Sequence, residues 1–187
     1  KELEEKTKVF NSFKSYNSFF KSTGIIVDQE RRKSFISKEI IKLSKKKKLK
    51  VNLTKTLLDE ITNIVEKPKI LFCEFDKKYL MIPKEILIIT MQNHQKYFPT
   101  FNSKENLTNN FIVVADKKDS KGYIKLGNER VIEARLNDAE FFWKKNRSQN
   151  LVKQVSKLKN INYFKGLGTY FDKVQRIRKL CGIISDE

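Results

Sequence analysis

The densest cluster of chemically capable side chains is Met91-Gln92-Asn93-His94-Gln95-Lys96-Tyr97-Phe98-Pro99. It brings an imidazole, an amide, an ammonium and two aromatic rings together. Such a set can stack on an unpaired base, hydrogen-bond its edge and neutralise a phosphate. The same residues also suit a helix-to-strand turn. In that reading His94 and Gln95 satisfy backbone groups, and Tyr97 and Phe98 pack on opposite faces of a strand. Both readings stand at this level.

The remaining inventory is short. His94 is the only histidine, so a histidine-based metal cluster is excluded, and the two distant cysteines do not restore one. No G-x-x-x-x-G-K-[ST] loop is present. Lys165-Gly166-Leu167-Gly168-Thr169 is glycine-rich but lacks that frame, and reads as a turn between helices. Asp138 and Glu140 fall on different faces of a helix. Glu129 and Glu133 can meet, but Arg130 and Arg135 beside them suggest a salt-bridged surface. No acid–base pair emerges, so no catalytic residue and no cofactor is expected in this chain.

Positioning these residues requires a folded frame, and the composition supplies one. The 187 residues are 39% hydrophobic and include fourteen Phe, enough for a core. Forty basic against twenty-two acidic residues give a formal charge of +18, a field that favours polyanions, with nucleic acid first among them. Only seven of the forty are Arg, the better phosphate fork, so a general drift toward Lys is the competing reading. Cys73 and Cys181 lie in apolar runs and read as reduced core thiols of a cytoplasmic protein. No apolar run approaches the length needed to span a bilayer, so no membrane partner is expected. The chain opens on Lys1 rather than Met and closes on Asp186-Glu187, which suggests a piece of something longer.

Periodicity predicts helix through residues 1–50. Asp28 is the N-cap of a helix carrying Phe35, Ile36, Ile40 and Leu43 on one face, and Lys45–Lys48 form its solvated end. A second helix, capped by Thr54, buries Leu57, Leu58, Ile61, Ile64 and Val65. Lys69–Phe75 and Tyr79–Ile82 read as strands of a hairpin turning at Asp76-Lys77-Lys78. Pro83 opens a short helix to Met91. Tyr97–Phe101 and Phe111–Ala115 are further strands, joined through a polar turn near Asn102–Asn106. A long helix runs from about Gly122 to Trp143 or beyond, with Val131, Ile132, Leu136, Ala139 and Trp143 at helical spacing and an irregular entry at Gly127. Asn146–Asn150 marks a boundary. Beyond it Leu151, Val155 and Leu158 start a new helical pattern. Thr169 and Asp172 form a capping box for a last helix with Phe171, Val174, Ile177, Leu180 and Ile184 on its buried side. The order predicts an α/β or α+β domain followed by the start of a helical one.

Several blocks carry a family resemblance. They are Leu58-Asp59-Glu60-Ile61-Thr62 with Val65-Glu66-Lys67-Pro68, Phe75-Asp76 through Ile82-Pro83, and Thr90-Met91 with His94-Gln95-Lys96-Tyr97-Phe98-Pro99. Gly127-Asn128-Glu129-Arg130-Val131-Ile132 follows, continuing as Ala134-Arg135-Leu136-Asn137-Asp138-Ala139-Glu140-Phe141-Phe142, and then Leu167-Gly168-Thr169 with Asp172-Lys173 and Arg176. In that order they resemble the β subunit of the bacterial two-subunit glycyl-tRNA synthetase. Trp143-Lys144-Lys145-Asn146 departs from the pattern, standing where the family tends to carry an acidic residue.

The resemblance implies a division of labour. The α subunit would carry the class II active site and use ATP and Mg to join glycine to AMP and then to tRNA. The β subunit would recognise glycine tRNA within an α2β2 heterotetramer. Residues 1–146 would be a B3/B4-like, mixed-sheet domain, and residues 147–187 the beginning of a truncated HD-like helical domain. The motif-matching residues His94, Lys96, Tyr97, Arg130 and Arg135 are the candidate nucleic-acid contacts. Two other readings compete: an editing-type hydrolytic domain and a generic basic RNA-binding module. Editing is less needed for glycine, because a small pocket excludes larger side chains sterically.

Overall fold

The computed structural model describes residues 8–185. The chain forms two compact units, Lys1–Glu140 and Phe141–Glu187.

The first unit begins with α1 (Phe13–Thr23) and α2 (Gln29–Lys46). Asp28 caps α2 as expected, its Oδ1 accepting the Arg31 N–H at 2.7 Å. After the short β1 (Lys50–Val51) comes α3 (Lys55–Ile64). Thr54 occupies the N-cap position of α3, but its side chain makes no capping bond there. β2 (Lys69–Glu74) leads to a 3₁₀ turn at Lys77–Met81, then α4 (Lys84–Ile89) and a widened π turn at Thr90–His94. β3 (Phe98–Phe101) and β4 (Leu107–Ala115) follow, and then α5 (Tyr123–Ser148).

The four strands lie in the order β1-β3-β4-β2, and each pairing is antiparallel. The sheet is therefore not mixed, and the unit is α+β. Strand alternation sorts its side chains to two faces. Ile70, Phe72, Phe98, Ile112 and Val114 meet Ile36 and Ile40 of α2 and Leu57, Leu58 and Ile61 of α3. Arg32 ties α2 to this layer, donating to the carbonyls of Thr62, Ile26 and Val27 at 2.8, 2.5 and 3.2 Å. The Lys33–Asp59 ion pair joins α2 to α3. Cys73, Phe111 and Tyr97 occupy the opposite face, beneath α5, whose Ile132 and Leu136 are fully buried.

Several expectations need correcting. Tyr79–Ile82 is not a strand. Asp76 accepts the Lys78 N–H at 2.9 Å and the Tyr79 N–H at 3.1 Å, closing a turn before any hairpin can form. The partner of β2 is instead β4, in continuous register from Lys69↔Ala115 to Glu74↔Asn110. Phe35, Ile64 and Val131 point outward rather than into the core. Gly127 lies inside α5, and the special backbone is at Gly122, with φ 75°. Asp119 caps that entry, accepting from Ile124 N–H at 3.1 Å and Lys125 N–H at 2.8 Å.

The second unit contains the end of α5, α6 (Leu151–Gln154), a 3₁₀ turn at Val155–Asn160, and a small hairpin of β5 (Asn162–Phe164) and β6 (Gly168–Thr169). α7 (Tyr170–Ser185) completes it. The glycine-rich stretch is therefore a β-turn, not a helix–helix turn, with Gly166 at φ 81° and Gly168 at φ 76°. The capping box is present: Asp172 Oδ2 accepts the Thr169 N–H at 2.7 Å, and Thr169 Oγ1 accepts the Asp172 N–H at 3.3 Å. No described residue of this unit is buried. Ile177, Leu180 and Ile184, on the apolar side of α7, are left uncovered, as expected of a helical unit that is only begun here, and Cys181 is exposed rather than in a core. No described helix is long and apolar enough to cross a membrane.

Candidate functional site

The His94–Tyr97 segment is built by a change of backbone regime. The regular α4 widens into the π turn, which ends at His94, and Lys96 then takes a left-handed conformation at φ 59° before β3 begins. Non-glycine residues seldom hold that conformation without support. Here the support is specific. The Tyr97 N–H donates to the Met91 carbonyl at 2.9 Å, and Lys96 Nζ lies 2.5 Å from Glu60 Oε2 on α3.

The five candidate residues are placed differently. His94 is exposed at the end of the π turn, and Lys96 is partly exposed in its ion pair. Tyr97 is buried, at 5% exposure. Its ring stacks on Phe111 with centroids 4.9 Å apart, and its hydroxyl donates to Asn128 Oδ1 of α5 at 2.7 Å. Burial pushes the phenol up to about 12. In this geometry the ring supports α5 and presents no open face to a base. Phe98, on the other strand face, is fully buried among α2 and α3. Arg130 and Arg135 are both exposed on α5. Arg130 borders a groove of about 500 Å³ together with Lys77, Glu74, Asp76, Glu129 and Glu133. Four carboxylates around two cations make that groove an unfavourable seat for a lone phosphate. Among the described residues, no hydrogen bond or ion pair joins His94, Arg130 and Arg135 to one another.

What the structure does join is the two motif blocks. Tyr97 meets Asn128, whose Nδ2 in turn donates to the Ile124 carbonyl at 2.7 Å. Glu129 Oε1 accepts the Glu74 N–H at 2.9 Å and pairs with Lys125 at 3.6 Å. Tyr79 donates to Asn137 Oδ1 at 2.6 Å. Asn128, Glu129 and Asn137 thus fasten α5 to the sheet and the 3₁₀ turn. Residue-by-residue reading missed these roles, although all three stand inside the blocks that carried the resemblance.

The family described as glycyl-tRNA synthetase beta subunit matches residues 1–187. The chain belongs to that family. Among curated relatives, the glycine–tRNA ligase beta subunit of Dictyoglomus thermophilum is 42% identical over 167 residues, 89% of this chain and 24% of the relative. The same-named protein of Clostridioides difficile is 37% identical over 185 residues, 98% of this chain and 27% of the relative. That of Stutzerimonas stutzeri is 37% identical over 173 residues, 92% and 25% respectively. The chain therefore spans about a quarter of the length of the relatives it matches.

Proposed function

We propose that this chain is a non-catalytic segment of a glycine–tRNA ligase β subunit, contributing to tRNA recognition and to the architecture of the enzyme. The observation that carries this reading is the family match over all 187 residues. In it, residues 1–146 are the B3/B4-like domain and residues 147–187 open the HD-like helical domain. An α subunit supplies the active site, with ATP and Mg, in a cytoplasmic α2β2 assembly. His94, Lys96, Arg130 and Arg135 are the solvent-facing contacts toward tRNA, with Arg130, beside its carboxylates, contributing least, and Tyr97 holds α5 behind them.

The test uses the α–β complex. Crosslinking to glycine tRNA, with the attached peptides mapped, should recover residues from this segment. Alanine variants at His94, Lys96, Arg130 and Arg135 should keep the fold, and at least one should weaken tRNA binding. Four folded variants that all bind tRNA as tightly as the parent, across several salt concentrations, would place the tRNA surface elsewhere. Glycine-dependent ATP–pyrophosphate exchange by this chain, purified free of α subunit, would refute the non-catalytic assignment.

A further inference from the structure

The four-stranded sheet ends on two unlike margins. β1, at one end, is two residues long and begins on a lysine. A lysine opens β2 as well, so it is shortness that sets β1 apart and keeps that margin from pairing with further strands. β2, at the other end, has six residues, Lys69–Glu74, in continuous register with β4 and with no bulge to turn it aside. It contains no proline, and Ile70, Leu71, Phe72 and Cys73 form an uninterrupted apolar run. A run of that kind belongs to strands covered on both faces, which usually lie inside a sheet. β2 thus has the sequence of an interior strand and the position of an edge.

The phase of its hydrogen bonds identifies the open groups. The Phe75 N–H donates to the Asn109 carbonyl at 2.9 Å. Bonded and non-bonded pairs alternate along an antiparallel ladder. Cys73, Leu71 and Lys69 therefore direct their N–H and C=O groups toward β4, and Glu74, Phe72 and Ile70 direct theirs outward. Glu129 Oε1 accepts the Glu74 N–H at 2.9 Å, which agrees with that phase and seals one outward donor. Among the described residues, no strand lies beyond Ile70 and Phe72. A groove of about 340 Å³ runs beside them, bordered by Phe35, Glu39, Pro68, Ile70, Leu71 and Lys118.

We propose that the outer edge of β2 receives an extended segment of the same β-subunit polypeptide, from outside these 187 residues, that pairs with the main-chain groups of Ile70 and Phe72. Strand addition of this kind takes its strength from backbone hydrogen bonds. The relatives are about four times as long as this chain, which covers 24% and 27% of two of them, so the polypeptide has ample length to supply the strand. A tethered strand also acts at high effective concentration. A second copy of the chain fits less well. Symmetric antiparallel pairing centred on Phe72 sets Ile70 against Glu74, whose N–H is already engaged, so a second copy is left with the one register that sets Ile70 against Phe72. Two copies of formal charge +18 also repel each other. The inference rests on family membership and is independent of whether this segment touches tRNA.

Single-residue amide exchange on the full-length β subunit, alone and with the α subunit, tests it. The Ile70 and Phe72 amides should exchange at least about 100-fold more slowly than in an unstructured peptide, alongside Leu71 and Cys73. That protection should be present in the β subunit alone and unchanged on dilution. Rates near those of an unstructured chain at Ile70 and Phe72, with Leu71 and Cys73 protected, would show an open edge and overturn the proposal. Protection that appears only with the α subunit, or only at high protein concentration, would overturn it too, assigning the edge to the partner subunit or to a second copy.

Discussion

Cys73 and Tyr97 share the layer between the sheet and α5, and both are held neutral by burial. The thiol is pushed from its ordinary 9.0 up to about 12, and the phenol from 10.0 up to about 12. In the unfolded chain each group loses its proton at its ordinary value, while the folded protein retains it. The unfolded state therefore binds fewer protons through this window, and stability falls as pH rises. Thermal midpoints should decline from about pH 9 toward pH 12, less steeply in Cys73→Ala and Tyr97→Phe than in the parent. A parent profile that is flat across this range would contradict the burial of both groups. At neutral pH, Tyr97→Phe should cost about 1–2 kcal/mol in denaturant unfolding, because Asn128 Oδ1 loses its donor. The segment that holds Tyr97 stood out from residue types alone. Its division into an exposed His94 and a buried Tyr97 did not, because an aromatic ring serves a core and a base equally well until its neighbours are known.

At the scale of elements, the helices with strong apolar periodicity and explicit caps were readable. Asp28 and the Thr169/Asp172 box do what their spacing requires. Two bonds from Thr169, its backbone N–H first and its hydroxyl second, hold the Asp172 carboxyl below its ordinary 3.8. A group depressed in the folded state contributes stability above its unfolded value and loses it as pH falls through the folded one. The start of α7 should therefore lose amide protection below about pH 3.8, and Asp172→Asn should remove that dependence. Gly168→Ala should weaken the same cap, since Gly168 sits at φ 76° and a Cβ would meet the Asp172 carboxylate. In the first unit, Ile40→Ala leaves a cavity under the sheet and should cost about 2–5 kcal/mol, measured by denaturant unfolding. The 3₁₀ turn at Lys77–Met81 was misread as a strand because Tyr79–Ile82 is short and apolar, and periodicity cannot separate a strand from a buried turn at that length.

Across the whole molecule the charge of +18 is the dominant long-range property. The proposed RNA binding should weaken steeply as salt rises, through the counterions that phosphate contacts release. Lys45, Lys46, Lys47 and Lys48 are all exposed at the end of α2, and Lys47 Nζ also lies over the Phe72 ring at 4.8 Å. Replacing Lys45, Lys46 and Lys48, which make no ring contact, with alanine should reduce the salt slope by about one unit for each that touches phosphate. An unchanged slope would make them a solvated helix end. The second unit sets a different expectation. With none of its described residues buried, its amides in the isolated 187-residue chain should exchange faster than those of α2 and α3. Equal protection would mean that another surface covers Leu180 and Ile184 in that preparation.

Sequence by itself determined the family, the amphipathic faces of α2 and α3, the caps at Asp28 and at Thr169 with Asp172, and the basic character. These depend on residues near one another in the chain or on charge, which adds up without regard to position. Tertiary structure decided what long-range contact alone can set. It paired β2 with β4, turned Tyr97 inward onto Phe111 and Asn128, and gave Glu129 to the Glu74 N–H. It also left Ile177, Leu180 and Ile184 uncovered, although their spacing is that of a buried stripe. Periodicity specifies which face of a helix is apolar, but the surface that covers that face comes from elsewhere in space, and no local pattern encodes it.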